Sequence, residues 1–315
     1  MAQGYPFSLL DIRNDVLNRL GQNANSYAPA LEDGAGVASF TTTATAVLNQ
    51  FINECQEDMC RTCYSLKDTG TVTAALNAST LAFNDLTVTS GKRLWGADAV
   101  AIQAVLTITA VTNTSPIVLT TSVAHNLSTG ATVTVAGVTG TTTANGSWTV
   151  TVLSPTTFSL LGSTGNGSYI SGGTATVTTA TSLTYCGEAA LRTQYPSWNT
   201  DASGVPAYWY RQGEAGVGIY PSAYTAHLVT VKGQALPARL SADADIPTWL
   251  LPDLERILVA GAAFKVAEKS QQNDDLKARA PIWQAEYEGG KAALLLRLWQ
   301  TDPTTARAHY LPVPK

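Results

Sequence analysis

Six short runs decide the architecture: Leu106-Thr-Ile-Thr-Ala-Val111, Ile117-Val-Leu-Thr-Thr121, Thr132-Val-Thr-Val-Ala136, Ser147-Trp-Thr-Val-Thr-Val152, Thr157-Phe-Ser-Leu160 and Thr174-Ala-Thr-Val-Thr178. Apolar and hydroxyl side chains alternate through them with the period of a half-buried strand, and β-branched residues fit a pleated surface. Turn-formers separate the runs, at Leu127-Ser-Thr-Gly130, Ala144-Asn-Gly146 and Gly162-Ser-Thr-Gly-Asn-Gly167. Short strands with regular turns predict a small all-β barrel or sandwich over residues 105–181.

Charge sets this module apart. No Asp, Glu, Lys or Arg occurs in the 89 residues from Ala99 to Gly187, and 23 of the 77 residues from Val105 to Thr181 are threonine. All 42 charged side chains lie elsewhere in the 315-residue chain, which is long enough for two domains and for a core that needs no disulfides.

On either side the period changes to that of a helix. Ser8, with Asp11 three residues on, caps a helix whose stripe is Leu9, Ile12, Val16 and Leu20 and which stops at Gly21. Residues 22–43 lack periodicity and read as a long loop or arm. A second helix is expected from about Thr45 to Tyr64, with Leu48, Phe51, Ile52, Cys55, Met59 and Cys63 on one face. A third starts at Pro252 and Asp253 and carries Leu254, Ile257, Leu258, Gly261 and Phe264. A fourth starts near Asp274 and carries Trp283, Tyr287, Leu294 and Leu298; Pro281 must sit in its first turns or kink it. One apolar stripe on each helix requires the helices to pack together. Short strands are expected within residues 71–83 and at 207–211, 217–220 and 227–232.

The expected fold is therefore α+β: an antiparallel bundle of about four helices with a small antiparallel β element and an inserted all-β barrel or sandwich. Residues 1–104 and 182–300 form the helical domain with its β element, 105–181 the Thr-rich insert, and 301–315 an extended arm. Prolines at 303, 312 and 314 forbid a continued helix there. The arm is either a frayed end or, through Tyr310, Leu311 and Val313, a stiff segment that docks in a groove or on a sheet edge of a partner.

Composition narrows the function. The apolar share of 45% is that of a globular chain, and the net charge of −4 argues against broad phosphate neutralisation on DNA or RNA. No secretion signal or membrane-spanning apolar run is visible, and four cysteines, three of them clustered, fit a reducing cytoplasm rather than a disulfide framework. Cys60-x-x-Cys63 lacks a second ligand pair for zinc; Cys55 and Cys63 fall on the apolar stripe, and unpaired cysteines of this kind read as core residues. His125, His227 and His309 have no nucleophile and orienting acid assigned to them. No G-x-S-x-G, H-E-x-x-H or Walker loop occurs, and the glycines at 34–36 and 213–218 read as turns. The carboxylate pairs Glu57-Asp58, Asp243/Asp245 and Asp274-Asp275 read as solvated faces and caps. Trp148 and Tyr169 serve the core of the β module, with a carbohydrate platform as the alternative. No catalytic, cofactor or metal residue is assigned.

A family resemblance rests on the order of several weak motifs. Tyr195-Pro-Ser-Trp198, Gly204-Val-Pro-Ala-Tyr-Trp-Tyr-Arg211, Gly218-Ile-Tyr-Pro221 and Leu236-Pro-Ala-Arg-Leu-Ser-Ala-Asp-Ala-Asp-Ile-Pro247, leading into two helices, resembles the head-to-tail adaptor proteins of tailed bacteriophages. The residues carrying it are Tyr195, Pro196, Trp198, Pro206, Tyr208, Tyr210, Tyr220, Pro221 and Pro247. The first two helices are similar to the front half of that family.

The resemblance implies a non-enzymatic structural protein of the virion neck, assembled in the host cytoplasm. Its copies would form a ring, commonly of twelve, between the portal protein and the tail tube, nozzle or fibre proteins. Genomic DNA would pass through the bore without sequence-specific binding, and no membrane or cofactor is implied. Ala308, His309, Tyr310, Leu311, Pro312, Val313, Pro314 and Lys315 would be the arm that contacts the portal. The insert separately resembles a β module of phage structural proteins and the FCCH domain of ubiquitin-activating enzymes, through Ala124-His-Asn-Leu-Ser-Thr-Gly130, Val135-Ala-Gly-Val138, Ala144-Asn-Gly146 and Thr156-Thr-Phe-Ser-Leu160. It would stand outside the ring as a decoration; the alternative is a glycan- or host-surface-binding module carried by this insert.

Overall fold

A computed structural model of the chain describes residues 7–20, 40–63, 66–75, 77–198, 200–247, 255–269 and 274–301. In chain order the elements are α1 (Leu9–Arg19), α2 (Phe40–Cys63), β1 (Lys67–Ala74), β2 (Thr80–Ala82), β3 (Arg93–Leu94), β4 (Ala99–Val111), β5 (Val118–Thr121), β6 (Thr132–Ala136), β7 (Gly146–Ser154), β8 (Thr157–Leu160), β9 (Thr174–Val177), β10 (Thr181–Ser182), β11 (Thr184–Tyr185), α3 (Glu188–Gln194), β12 (Tyr208–Gln212), β13 (Gly216–Tyr220), β14 (Ala226–Leu236), α4 (Glu255–Lys269) and α5 (Asp274–Thr301). They fall into two compact units, one of residues 1–67, 90–93 and 234–315, the other of residues 68–89 and 94–233.

The first unit contains α1, α2, α4 and α5. The expected capping box is present: Ser8 Oγ accepts from Asp11 N at 3.3 Å, and Asp11 Oδ2 accepts from Ser8 N at 2.9 Å. The Ser8 N–H, with the Ser8 hydroxyl that also donates to Asp11 Oδ2 at 2.7 Å, holds the Asp11 carboxyl below its usual range. Helix α2 begins at Phe40, so residues 40–43 belong to it and not to the loop expected there. Helix α4 departs from the one-stripe pattern. Ile257 to Ala263 are all buried, because α1, α2 and α5 all pack on it, and its small residues permit the close approach. A Cβ on Gly261 would lie 2.7 Å from the Tyr287 ring and 2.9 Å from Cys55 Sγ. Helix α5 continues across Pro281 to Thr301.

In the second unit, β4, β5, β8, β7, β6 and β9 pair in that cyclic order, β9 closing back on β4, to form a six-stranded antiparallel barrel. Closure leaves no open edge among these six. The alternation holds as expected; in β6, Val133 and Val135 point inward between exposed Thr132, Thr134 and Ala136. Leu106, Ile117, Leu119, Phe158 and Leu160 are fully buried in its core, each contributing about 1.5–3 kcal/mol by leaving water.

The bundle with a small antiparallel β element is corrected. The chain is α+β, but the barrel strands belong to a ten-stranded sheet in the order β1-β14-β4-β5-β8-β7-β6-β9, with β10 on β4 and β3 on β14; helices do not dominate the fold. The physical reason is β4, whose 13 residues serve twice. Val100 to Val105 pair with Val231 to Ala226 of β14, and the second half enters the barrel. A separate four-stranded sheet, β11-β12-β13-β2, contains a parallel β11–β12 pair, so it is not purely antiparallel. Five helices, not about four, occur among the described residues, the extra one being the seven-residue α3.

Candidate interaction surface

The four-stranded sheet and α3 gather most of the motif residues. Along β12, Tyr208 and Tyr210 point to one face and Trp209 and Arg211 to the other, and register pairs Tyr208 with Tyr220 and Tyr210 with Gly218. The first face receives the segment after α3. The Tyr195 ring lies 5.0 Å from Tyr220 and 6.0 Å from Tyr208, and Trp198 meets Tyr210 edge-on at 5.3 Å. Leu191 of α3 is fully buried beneath them. Gly218 is required by this packing, since a Cβ there would stand 1.9 Å from Tyr210 Cζ.

Polar groups fasten the cluster. Tyr220 O–H donates to Asp201 Oδ2 at 2.5 Å, which pushes the phenol up to about 12, and Tyr195 O–H donates to Tyr208 Oη at 3.4 Å. Pro221 follows a cis peptide bond after Tyr220, Pro206 is buried and Pro196 is exposed. Pro247, also buried, belongs to the helical unit. On the opposite face Tyr185, half exposed, packs on buried Trp209 with centroids 4.9 Å apart. Arg211 Nη2 donates to Ala97 O at 2.7 Å. The aromatics are thus a packed scaffold whose exposed rim includes Tyr185 and Val205.

The candidates for chemistry resolve into structure. Cys55 and Cys60 are buried free thiols, and burial pushes the Cys55 thiol up to about 12, far from a reactive thiolate; the Cys63 side chain lies outside the described residues. His125 uses both ring nitrogens, Nε2 donating to Ser154 O at 2.8 Å and Nδ1 accepting from Leu127 N at 3.0 Å. His227 Nδ1 donates to Thr225 O at 2.8 Å, and burial lowers its pKa, so it is neutral at pH 7. His309, the glycines at 34–36 and the arm 308–315 lie outside the described residues. Gly213 lies in the turn joining β12 and β13, with a positive φ of 60°. Among the described residues no group of three or more His, Cys, Asp or Glu could hold a metal ion, and no helix is long and apolar enough to cross a membrane.

Two further readings sharpen. Trp148 donates its N–H to Ala144 O at 2.8 Å and packs on the barrel core, as does Tyr169, which donates to Gly172 O at 3.0 Å. Asp58 is more than a solvated face: it accepts from Lys291 Nζ at 2.8 Å and Tyr287 O–H at 2.7 Å, tying α2 to α5. Its spacing in α2 showed which face it occupied; only the docking of α5 supplied its partners.

The described residues thus form packed helices, a closed barrel and an aromatic-backed sheet, with Cys55, Cys60, His125 and His227 buried. The profile of the SU10 adaptor protein family matches residues 7–310, and the chain belongs to that family. It is a bacteriophage adaptor, a component of the virion that interacts with other head or tail proteins. The match runs through residues 105–181 without naming a separate module there. No curated protein matches the chain.

Proposed function

We propose that copies of this chain assemble into a ring, commonly of twelve, between the portal and the tail, through whose bore the genome passes. The family match over residues 7–310 carries the reading. The net charge of −4 supports it, because a conduit that held phosphates tightly would impede sliding DNA. Residues 308–315 are the segment that reaches the portal, and the protein performs no catalysis.

The barrel stands outside the ring as a decoration of the FCCH-like kind, its outer wall of threonine and serine hydroxyls facing capsid, tail fibre or host. With the Trp148 and Tyr169 hydroxyl- or N–H-bearing edges bonded to backbone, a glycan platform on those rings has less support than a protein contact. Portal binding is tested by sedimentation of the purified chain with and without portal protein. Deleting residues 308–315 abolishes co-sedimentation and leaves the circular dichroism spectrum unchanged; retained attachment would remove the arm assignment.

A further inference from the structure

One acid in the helical unit buries a carboxylate oxygen that has no hydrogen-bond partner. Glu255 opens α4, is 7% exposed, and buries Oε1 without a hydrogen bond. A buried carboxylate oxygen left unpaired is costly, and native structures rarely tolerate one without a function. The side chain lines a cavity of about 220 Å³ between α1 and α4, together with Asp15, Asn18, Arg19, Arg256 and Val259.

The cations and acids around it are accounted for in turn. From α1, Arg19 is committed to Glu286 of α5 through bonds of 2.7 and 3.2 Å, and Asp11 is committed to Ser8. Asp15 of α1 and Arg256 of α4 make no ion pair among the described residues. Burial, then Asp15 and Asp11, push Glu255 up to about 7.

The size of the cavity restricts the occupant. Sites for cofactors and comparable ligands run to about 300–1,000 Å³, so this one suits a single side-chain head. Its lining holds two acids, Asp15 and Glu255, and two bases, Arg19, already bound to Glu286, and Arg256; among the described residues the acids lack the third ligand a metal site would want, and the unpaired Glu255 oxygen calls for a donor such as an ammonium or guanidinium.

We propose that the α1–α4 pocket receives a lysine or arginine side chain from a second copy of the chain, its cation pairing with Glu255 and Asp15. This rests on the ring reading. A ring needs a heterologous interface in which two different patches of one chain complement each other. Copies that each carry −4 repel on average, so their contact requires local opposite charges. Lys232 on β14 is an exposed base without an ion pair among the described residues. An incoming cation favours the ionised acid, so association below pH 7 releases a proton and weakens as pH falls from 8 to 6.

The test is sedimentation equilibrium of the full-length chain, with portal protein as template, at pH 6 and 8. Glu255→Gln and Asp15→Asn/Glu255→Gln are compared with wild type and with Asp275→Asn, which lies outside the pocket. Both pocket variants weaken association about tenfold or more at pH 8 and flatten its pH dependence, while melting temperature holds or rises. Should Glu255→Gln fail to fold, Asp15→Asn alone gives the reading. Pocket variants that assemble as tightly as wild type, with the same pH response, overturn the inference and leave the ring intact. Wild type that never assembles, with or without portal, overturns the ring reading itself.

Discussion

In the helical unit, Lys291 is drawn into the packing and pairs with Asp58 at 2.8 Å, Lys265 reaches Glu54 at 2.7 Å, and Arg19 reaches Glu286 at 2.7 Å. In the barrel no such group exists. Thr141 donates to Gly167 O at 2.6 Å, Thr139 to Ser171 O at 2.7 Å and Ser163 to Leu160 O at 2.7 Å, all neutral bonds between short side chains and backbone. Helices must be fastened to one another by side chains, and long charged ones span the gap while their stems cover apolar surface. A closed barrel satisfies its backbone by strand pairing and needs side chains only to tie down its loops. Carboxylate-linked pH dependence of stability is therefore expected in the helical unit and not in the barrel strands.

The comparison is broken most severely from the barrel side. Phe158→Ala empties a fully buried site and should cost about 3–5 kcal/mol, seen as a lowered thermal transition of the barrel while the helical signal at 222 nm persists near its original temperature. A single transition shifting as a whole would show that the two units do not unfold separately. Next comes Asp58→Ala, which takes one partner each from Lys291 and the Tyr287 hydroxyl and leaves them Glu288 and Cys55 O. About 1–3 kcal/mol is expected by urea denaturation, less than for a fully buried pair because Asp58 is half exposed. Its effect should appear only in the helical transition.

Much of this contrast was legible in the sequence. The absence of charge between Ala99 and Gly187 and the alternation at residues 132–136 pointed to a small all-β barrel or sandwich, because strand period and turn chemistry are local properties; closure into a barrel needed the β4–β9 pairing. Residues 99–105, Ala-Val-Ala-Ile-Gln-Ala-Val, carry a fainter alternation, and only pairing with β14 fixes them as the strand that joins barrel to larger sheet. Missing that pairing made the β element look small and the helices dominant. The Glu255 pocket was equally invisible: the acid sits in sequence beside Arg256 like any helix-start residue, and its isolation follows from how α1 packs on α4. The aromatic motif was visible as a series of residues, whereas its convergence required the β12–β13 register and the return of the chain through α3.

Titration sharpens the comparison with smaller effects. Asp11, Glu54, Asp58 and Asp245 all have folded values below their ordinary ones, held there by hydrogen bonds to Ser8, to Lys265, to Lys291 and to backbone N–H groups near Ser241. Such groups stabilise the fold above their unfolded values, near pH 4, and that contribution is lost as pH falls through the folded ones. Glu255 works in the opposite sense. Raised to about 7, it binds a proton on folding between about pH 4.5 and 7, so stability declines as pH rises through that window. Melting curves from pH 3 to 8 should show both slopes in the helical unit and neither in the barrel; Glu255→Gln should erase the upper slope alone. The smallest effect is at the first cap, where Ser8→Ala removes the hydroxyl half of the box, leaving the backbone N–H of residue 8 on Asp11, and should cost about 1 kcal/mol, again only in the helical transition.

The most direct measurement is the mass, by native mass spectrometry or multi-angle light scattering, of the full chain mixed with its portal protein. The proposed ring predicts a complex holding many 33.1 kDa copies on one portal ring. A chain that stays at 33.1 kDa beside an unoccupied portal would contradict it.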